Sequence, residues 1–209
     1  MKLVDISTPI SATMAVFPGD PPVAVRRVRS IEARDPYNLS ELSMSTHTGT
    51  HVDPPFHFVP TGPTADQLDL ETLNGPCHVL DVPDERRTVD ADVIESLPEG
   101  TERVLLRTGN SARWAAGEAF FPDYVALTMG AADALVRRRV RLVGIDALSI
   151  ERDATGTFPV HHRLLGANVL ILEGLRLAGV PAQACELRCL PLRLLGGDGA
   201  PARAVLLTD

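Results

Sequence analysis

Residues 45–58, STHTGTHVDPPFHF, limit what this chain can become more than any other stretch. Three of its six histidines, His47, His51 and His57, fall there beside one carboxylate, Asp53. Neither a buried core nor a solvated loop needs such a density of imidazole, whereas a metal site does. Histidines four apart share a helical face and can hold one zinc. Here, however, Gly49 and Thr50 stand between them, and Pro54-Pro55 bias Asp53 away from helical angles. Upstream, Glu41 to Ser45 alternates polar and apolar like a half-buried strand. The expected geometry is therefore an irregular segment that leaves a strand end and aims several side chains at one point.

Imidazole nitrogen with carboxylate oxygen suits zinc or manganese better than calcium or magnesium, which prefer an all-oxygen shell. Asp53 has two oxygens and could bridge two ions. His57 lies four residues beyond it, outside the tight ligand run, and is read as a proton-transfer group beside the metal. Further along, Val160 to Ala167 has the apolar spacing of a short helix carrying His161. Val169 to Leu172 reads as a buried strand ending at Glu173, and a carboxylate there is costly unless paired or metal-bound.

The rest of the chain supplies a scaffold. Its 209 residues suffice for one well-cored domain over 1–209. Strands are expected at Leu3 to Ile6, Val23 to Ile31 (exposed), His78 to Val82, Val104 to Arg107, Arg141 to Ile145, Cys185 to Leu192 and Arg203 to Leu207. Helices are expected at Asp66 to Leu73, from the cap Asp90 through Leu97, and from the cap Thr128 to Arg138. This alternation gives a mixed α/β sheet. Gly109 to Phe121, with Trp114, reads as a surface or interface loop near the pocket, and Arg152 to Gly156 as a polar, mobile one. Asp146 ends a strand, where it either supports the site or caps a loop.

A net charge of -7 disfavours nucleic acid. The basic run Arg137-Arg138-Arg139 falls where it would complement a helix C-terminus. No apolar run approaches the roughly 20 residues of a membrane span. The N-terminus reads as a strand, not a signal peptide, so a cytoplasmic protein is expected. Three cysteines, few and odd in number, fit a reduced compartment. Cys185 and Cys189 read as small residues of a strand.

The stretch 45–58 resembles the signature of the metal-dependent cyclase family, whose best-understood branch is the bacterial kynurenine formamidases (arylformamidases). The likeness continues through Phe17-Pro18-Gly19-Asp20, Asn74-Gly75-Pro76-Cys77, Val104 to Thr108, Val143 to Asp146, His161 to Gly174 and Asp198 to Arg203. It implies an α/β fold of the swivelling β/α/β, cyclase-like kind, with a central mixed sheet flanked by short helices. It also implies a site for two divalent metal ions, usually zinc. One ion would be held by His47, His51 and Asp53, the other by Asp53, His161 and Glu173. His57 matches the family's catalytic histidine. His161 is preferred to His162 because the family's histidine stands twelve residues before the glutamate. Phe17 precedes the Pro-Gly-Asp turn and would contact substrate. The implied reaction is hydrolysis of an aryl formamide such as N-formylkynurenine, a step of tryptophan catabolism, by a homodimer or larger homo-oligomer. Phe17 stands where kynurenine formamidases commonly carry tryptophan, and Ala167 where they often carry histidine. A second reading keeps the site and takes a cyclic amide or lactone, as isatin hydrolases do. A third is a metal-stabilised binding protein without turnover.

Overall fold

The structure is a computed structural model and describes residues 2–117, 120–152 and 155–208. Positions 118 and 119 of the 109–121 segment, and 153 and 154 of the polar 152–156 stretch, lie outside the described residues.

Eight strands form the main sheet: β1 (Lys2–Asp5), β4 (His51–Asp53), β5 (Asn74–Asp81), β7 (Arg103–Arg107), β9 (Leu142–Ile145), β10 (Leu170–Glu173), β11 (Ala184–Pro191) and β12 (Ala200–Thr208). Two small pairs stand apart, β2 (Ala24–Arg29) with β3 (Leu39–Ser43), and β6 (Thr88–Val89) with β8 (Ala126–Leu127). The helices are short: α1 (Leu70–Leu73), α2 (Ala91–Glu95), α3 (Asn110–Ala115), α4 (Met129–Arg137) and α5 (Pro159–Leu165). None of the described helices is long and apolar enough to cross a membrane.

The sheet order is β1-β12-β11-β5-β7-β9-β10-β4, and β4 also pairs with β12. That second pairing, Ala200 with Val52 and Pro201 with His51, turns the sheet into a ring. β5, β7, β9 and β10 are mutually parallel, whereas β4, β11 and β12 join antiparallel, so the sheet is mixed, as expected.

Period-two patterning divides the core. On β7, Leu105 points into the ring with Val52, Val79, Leu142, Leu172, Leu187 and Leu206. Its neighbours Val104 and Leu106 point outward and pack under Ile94, Leu135 and Leu164 of the helices. Inside the ring there is no room for a side chain at position 144, where a Cβ would come within 2.5 Å of Leu105. Gly144 is therefore required for the strands to close round their contents.

Several expectations need correction. The ligand stretch is irregular only as far as Thr50, because His51, Val52 and Asp53 are the buried strand β4. The two flanking prolines hid a strand this short. The strand before it, β3, is exposed on both faces, not half-buried, because it pairs only with β2. The expected helix 66–73 splits at Leu68–Asp69, where the Asp69 carboxylate accepts from Glu71 N and starts α1 afresh. Asp90 precedes α2 but accepts from Thr88 Oγ1 without capping the helix.

Within the 109–121 segment, read as a surface or interface loop, Asn110–Ala115 form α3. Trp114 packs on Phe121, lies under the Arg176 guanidinium and donates from Nε1 to the Asp146 carbonyl. Asp146 itself takes the capping role. Its buried carboxylate accepts from the backbone and hydroxyl of both Thr108 and Ser111 at the start of α3. Burial pushes its pKa up to about 6 even against those bonds.

Candidate metal centre

Because β4 is extended, His51 and Asp53 share one face, while Val52 between them points into the ring. β10 lies antiparallel beside it with Glu173 directly opposite His51. The 46–50 turn then brings His47 over the same face, and the turn is pinned by a threonine lattice. Thr8 N–H donates to Thr50 Oγ1 (2.8 Å), and both hydroxyls donate to the Gly174 carbonyl (2.7 and 2.6 Å). Gly174 has φ +68°, and a Cβ on it would sit 2.1 Å from the Gly49 carbonyl oxygen, so only glycine lets these backbones touch.

His161 arrives from α5, which Phe158 starts from a left-handed backbone conformation, φ 46°. A bulky residue there costs about 1–3 kcal/mol. Its ring lines the cavity beside the site.

The five side chains converge. His47 Nδ1 is 2.8 Å from Asp53 Oδ1, and His51 Nε2 lies 3.3 Å from the same oxygen and 3.4 Å from Glu173 Oε2. His161 Nε2 is 3.3 Å from Glu173 Oε1 and 3.9 Å from Asp53 Oδ2. His57, on the single turn Pro55–His57, stacks on the His47 ring with centroids 4.0 Å apart. Two trios bring one ligand atom from each residue within 4.8 Å of the others: His47, Asp53 and His57, and His51, Asp53 and Glu173. Asp53 belongs to both. These trios cut across the division implied by the resemblance, with His51 facing Glu173 and His57 close to the first group.

The donor atoms fit a cation. Asp53 is fully buried, and His51, His161 and Glu173 nearly so. His47 Nε2, His51 Nε2 and Asp53 Oδ2 are buried without a hydrogen-bond partner among the described residues. A buried polar atom left this way costs about 1–3 kcal/mol, and three at one point are accounted for if they ligate. Without a cation the charges lean on one another. Burial opposes a charged imidazole, yet the Asp53 carboxylate outweighs it and raises the pKa of His47 and, strongly, of His51. Burial likewise opposes charge on His161, but its bonds to Glu151 and Glu173 lift it to about 10. Burial and its neighbour Asp53 push Glu173 up, and the histidines pull it below its ordinary value. His57 goes the other way, its pKa lowered first by burial and then by the neighbouring His47 and His161, so its ring is neutral near pH 7.

Sequence reasoning missed Glu151. Its buried carboxylate accepts from Val160 N–H (3.1 Å), His161 N–H (2.8 Å) and His161 Nδ1 (2.5 Å). It thereby caps α5 and turns the other ring nitrogen of His161 toward Glu173, the arrangement by which carboxylates orient metal-bound histidines. His51 is oriented the same way, Nδ1 donating to the Gly49 carbonyl (3.0 Å). Gly199 was missed too, although a Cβ there would strike the His47 ring at 2.6 Å. Glu151→Gln keeps the shape of the acceptor and removes its charge. Metal affinity is expected to fall about 10- to 100-fold, measured by competition with a chelating dye, with the far-ultraviolet circular dichroism unchanged.

Beside the cluster lies a cavity of about 240 Å³, walled by Phe17, Phe58, Leu148 and Phe158, with His57, His161, Glu173, Asp20 and Ser149 supplying polar atoms. Phe17 thus lines the cavity, in a turn where Asp20 N–H donates to the Phe17 carbonyl. Phe58 stacks on the His161 ring at 4.7 Å. His162 is exposed and meets Phe58 edge to face, with a face of Phe58 stacked toward His161. Cys185 and Cys189 are strand residues of β11, as expected.

A family model described as Putative cyclase matches residues 4–152. The chain is 40% identical to a protein named kynurenine formamidase from Salinibacter ruber, over 99% of this chain and 97% of that one. A solved structure titled as a potential metal-dependent hydrolase with cyclase activity superposes with a TM-score of 0.85 at 36% identity, covering 100% of this chain and 98% of the other. Isatin hydrolase A from Labrenzia aggregata superposes with a TM-score of 0.84 at 26% identity, covering 100% and 94%.

Proposed function

Since the chain belongs to the cyclase family, we propose that it hydrolyses the C–N bond of an aryl formamide of the N-formylkynurenine kind, releasing formate and the free arylamine. It is a metal-dependent hydrolase, and the observation that carries the reading is the convergence of orphaned nitrogen and oxygen donors beside an aromatic-walled cavity. His47, His51, Asp53, His161 and Glu173 would hold two divalent ions, zinc or else manganese, with Asp53 serving both. A divalent ion supplies Lewis acidity, making water acidic near neutral pH and polarising a carbonyl oxygen.

The chain's own groups do the rest. Phe17, Phe58 and Phe158 take the aryl ring between apolar walls and exclude bulk water. Glu151 and the Gly49 carbonyl keep His161 and His51 from turning. His57, neutral and with its ring making no hydrogen bond to the described residues, accepts a proton from water as it adds to the formyl carbon. It returns that proton to the amine nitrogen as the C–N bond breaks.

A cyclic amide opened at the same site is the second reading, favoured by the likeness to isatin hydrolase A. Comparing formate release from N-formylkynurenine with ring opening of isatin separates the two. The formamide is expected to lead by at least about a hundredfold in kcat/KM, and a preference for isatin would reverse the assignment.

The reading includes pairing with a second copy of the chain. The β2–β3 hairpin exposes Val25, Val28, Leu39 and Leu42, with Ile31 and Tyr37 at its turn. A lone two-stranded hairpin is marginal in water. Arg26 pairs with Glu41 and Arg29 with Asp35 within the hairpin, which leaves the apolar side chains as the surface that would meet its own copy about a two-fold axis. Sedimentation should give twice the 22.5 kDa of one chain, with Val25→Glu/Leu42→Glu shifting it toward one. A wild-type protein that stays monomeric would overturn the pairing.

A further inference from the structure

Away from the metal centre, β5 and β11 run antiparallel with Cys77 directly opposite Cys185. The ladder fixes what kind of pair this is. Val79 N–H donates to the Gln183 carbonyl (2.9 Å), and along an antiparallel ladder hydrogen-bonded pairs alternate with unbonded ones. Two positions on, Cys77 and Cys185 form a bonded pair. Pro76, which has no N–H to give, occupies the unbonded position opposite Glu186. Bonded pairs hold their Cα atoms about 5.5 Å apart, inside the roughly 4.4–6.8 Å that a disulfide spans.

Directly opposed residues project to the same face of a sheet, and the Cys185 sulfur turns toward its partner, 3.7 Å from the Cys77 carbonyl oxygen. The neighbouring Cys185 thiol raises the pKa of Cys77, with burial adding to it, while the Cys77 thiol lowers that of Cys185. Cys77 keeps its proton while Cys185, half-buried at the rim of the ring core, forms thiolate the more readily. Cys185 is only half-buried, which leaves it within reach of a small oxidant.

We propose that Cys77 and Cys185 are a peroxide-sensitive cross-strand dithiol that closes to an intramolecular disulfide and reopens with thiol reductants. The Cys185 thiolate attacks one oxygen of hydrogen peroxide, the O–O bond breaks, and Cys185 becomes a sulfenic acid while the other oxygen leaves as water. The Cys77 sulfur then attacks the Cys185 sulfur, and the hydroxyl departs with the Cys77 proton as a second water. Two thiols lose two electrons, and one peroxide is reduced to two waters. Bonded pairs splay their Cβ atoms more than unbonded ones, so the bridge is strained and easily reduced. In a reducing environment the pair therefore rests as two thiols. Cys189 has no such partner: it faces Ala204 and is fully buried, which pushes its pKa up to about 12.

The test treats the full chain under native conditions with a small excess of hydrogen peroxide, then alkylates and digests it without reductant. Alkylatable thiols are expected to fall from three to one, leaving Cys189. The intact mass should drop by two hydrogens, and a linked peptide pair containing Cys77 and Cys185 should appear and vanish on adding dithiothreitol. In Cys77→Ser, Cys185 should instead be trapped as a sulfenic acid by dimedone. Three thiols surviving, overoxidation of Cys185 without a linked pair, a bridge to Cys189, or a bridge between two chains would each overturn the proposal. The wild-type map alone decides it if the variant fails to fold.

Discussion

Asp53→Asn is expected to lower turnover by at least about a thousandfold and to strip the purified protein of metal, because removing one member of a buried charge cluster costs about 3–5 kcal/mol. Asn fills the same volume, so the change isolates charge from packing. Asp53 is the one residue common to both donor trios, and it faces His47, His51 and His161 at once. The loss should therefore reach every ion the site holds. The pH dependence of loading follows from the same contacts. A strongly raised pKa means that His51 and His161 still carry protons at neutral pH when no cation is present, and His47 is shifted in the same direction. A cation must displace those protons, so wild-type uptake releases protons and its apparent affinity rises with pH. Without the Asp53 charge, the imidazoles give up their protons at lower pH, and fewer are released per ion. Elemental analysis together with calorimetry in buffers of different ionisation enthalpy measures both effects. An Asp53→Asn protein with full metal and full turnover would refute the proposed site.

His57→Ala should cut kcat by about 100- to 10,000-fold, the usual worth of a general acid and base, while metal content stays near the wild-type value. The second half of that expectation discriminates, since His57 also lies within ligand distance of His47 and Asp53. If metal is lost together with turnover, His57 is a ligand and the proton passes through another group. The acid limb of kcat/KM should fall below the ordinary histidine value of 6.5, because burial and the flanking histidines lower its pKa. Above that limb the ring is the free base that can accept a proton.

What the sequence disclosed and what it withheld follow from distance along the chain. His47, His51, Asp53 and His57 were legible because eleven residues hold them and Pro54-Pro55 bias Asp53 away from a helix. Glu173 was legible because a carboxylate at the end of an apolar strand needs a partner. The parallel strands declared themselves as short apolar runs. Glu151 left no local signal, since its meaning comes from a histidine ten residues away, across positions with no periodic pattern. Trp114 misled for the opposite reason. In a chain poor in aromatics it suggested an exposed loop, but its partners Arg176 and the Asp146 carbonyl lie far off in sequence. Period-two patterning can say that β12 is a strand, yet nothing in it pairs that strand with the short β4.

That pairing sets an order in time. Ala200 and Pro201 lie against Val52 and His51, so the strand that pairs with the ligand-bearing β4 leaves the ribosome after His47, His51, Asp53, His161 and Glu173. A nascent chain can carry all five proposed ligands outside the exit tunnel and still lack the neighbour that keeps them facing one another. Cation capture is thus expected to wait for β12, and a chain ended at residue 199 that still held its metal would disprove it.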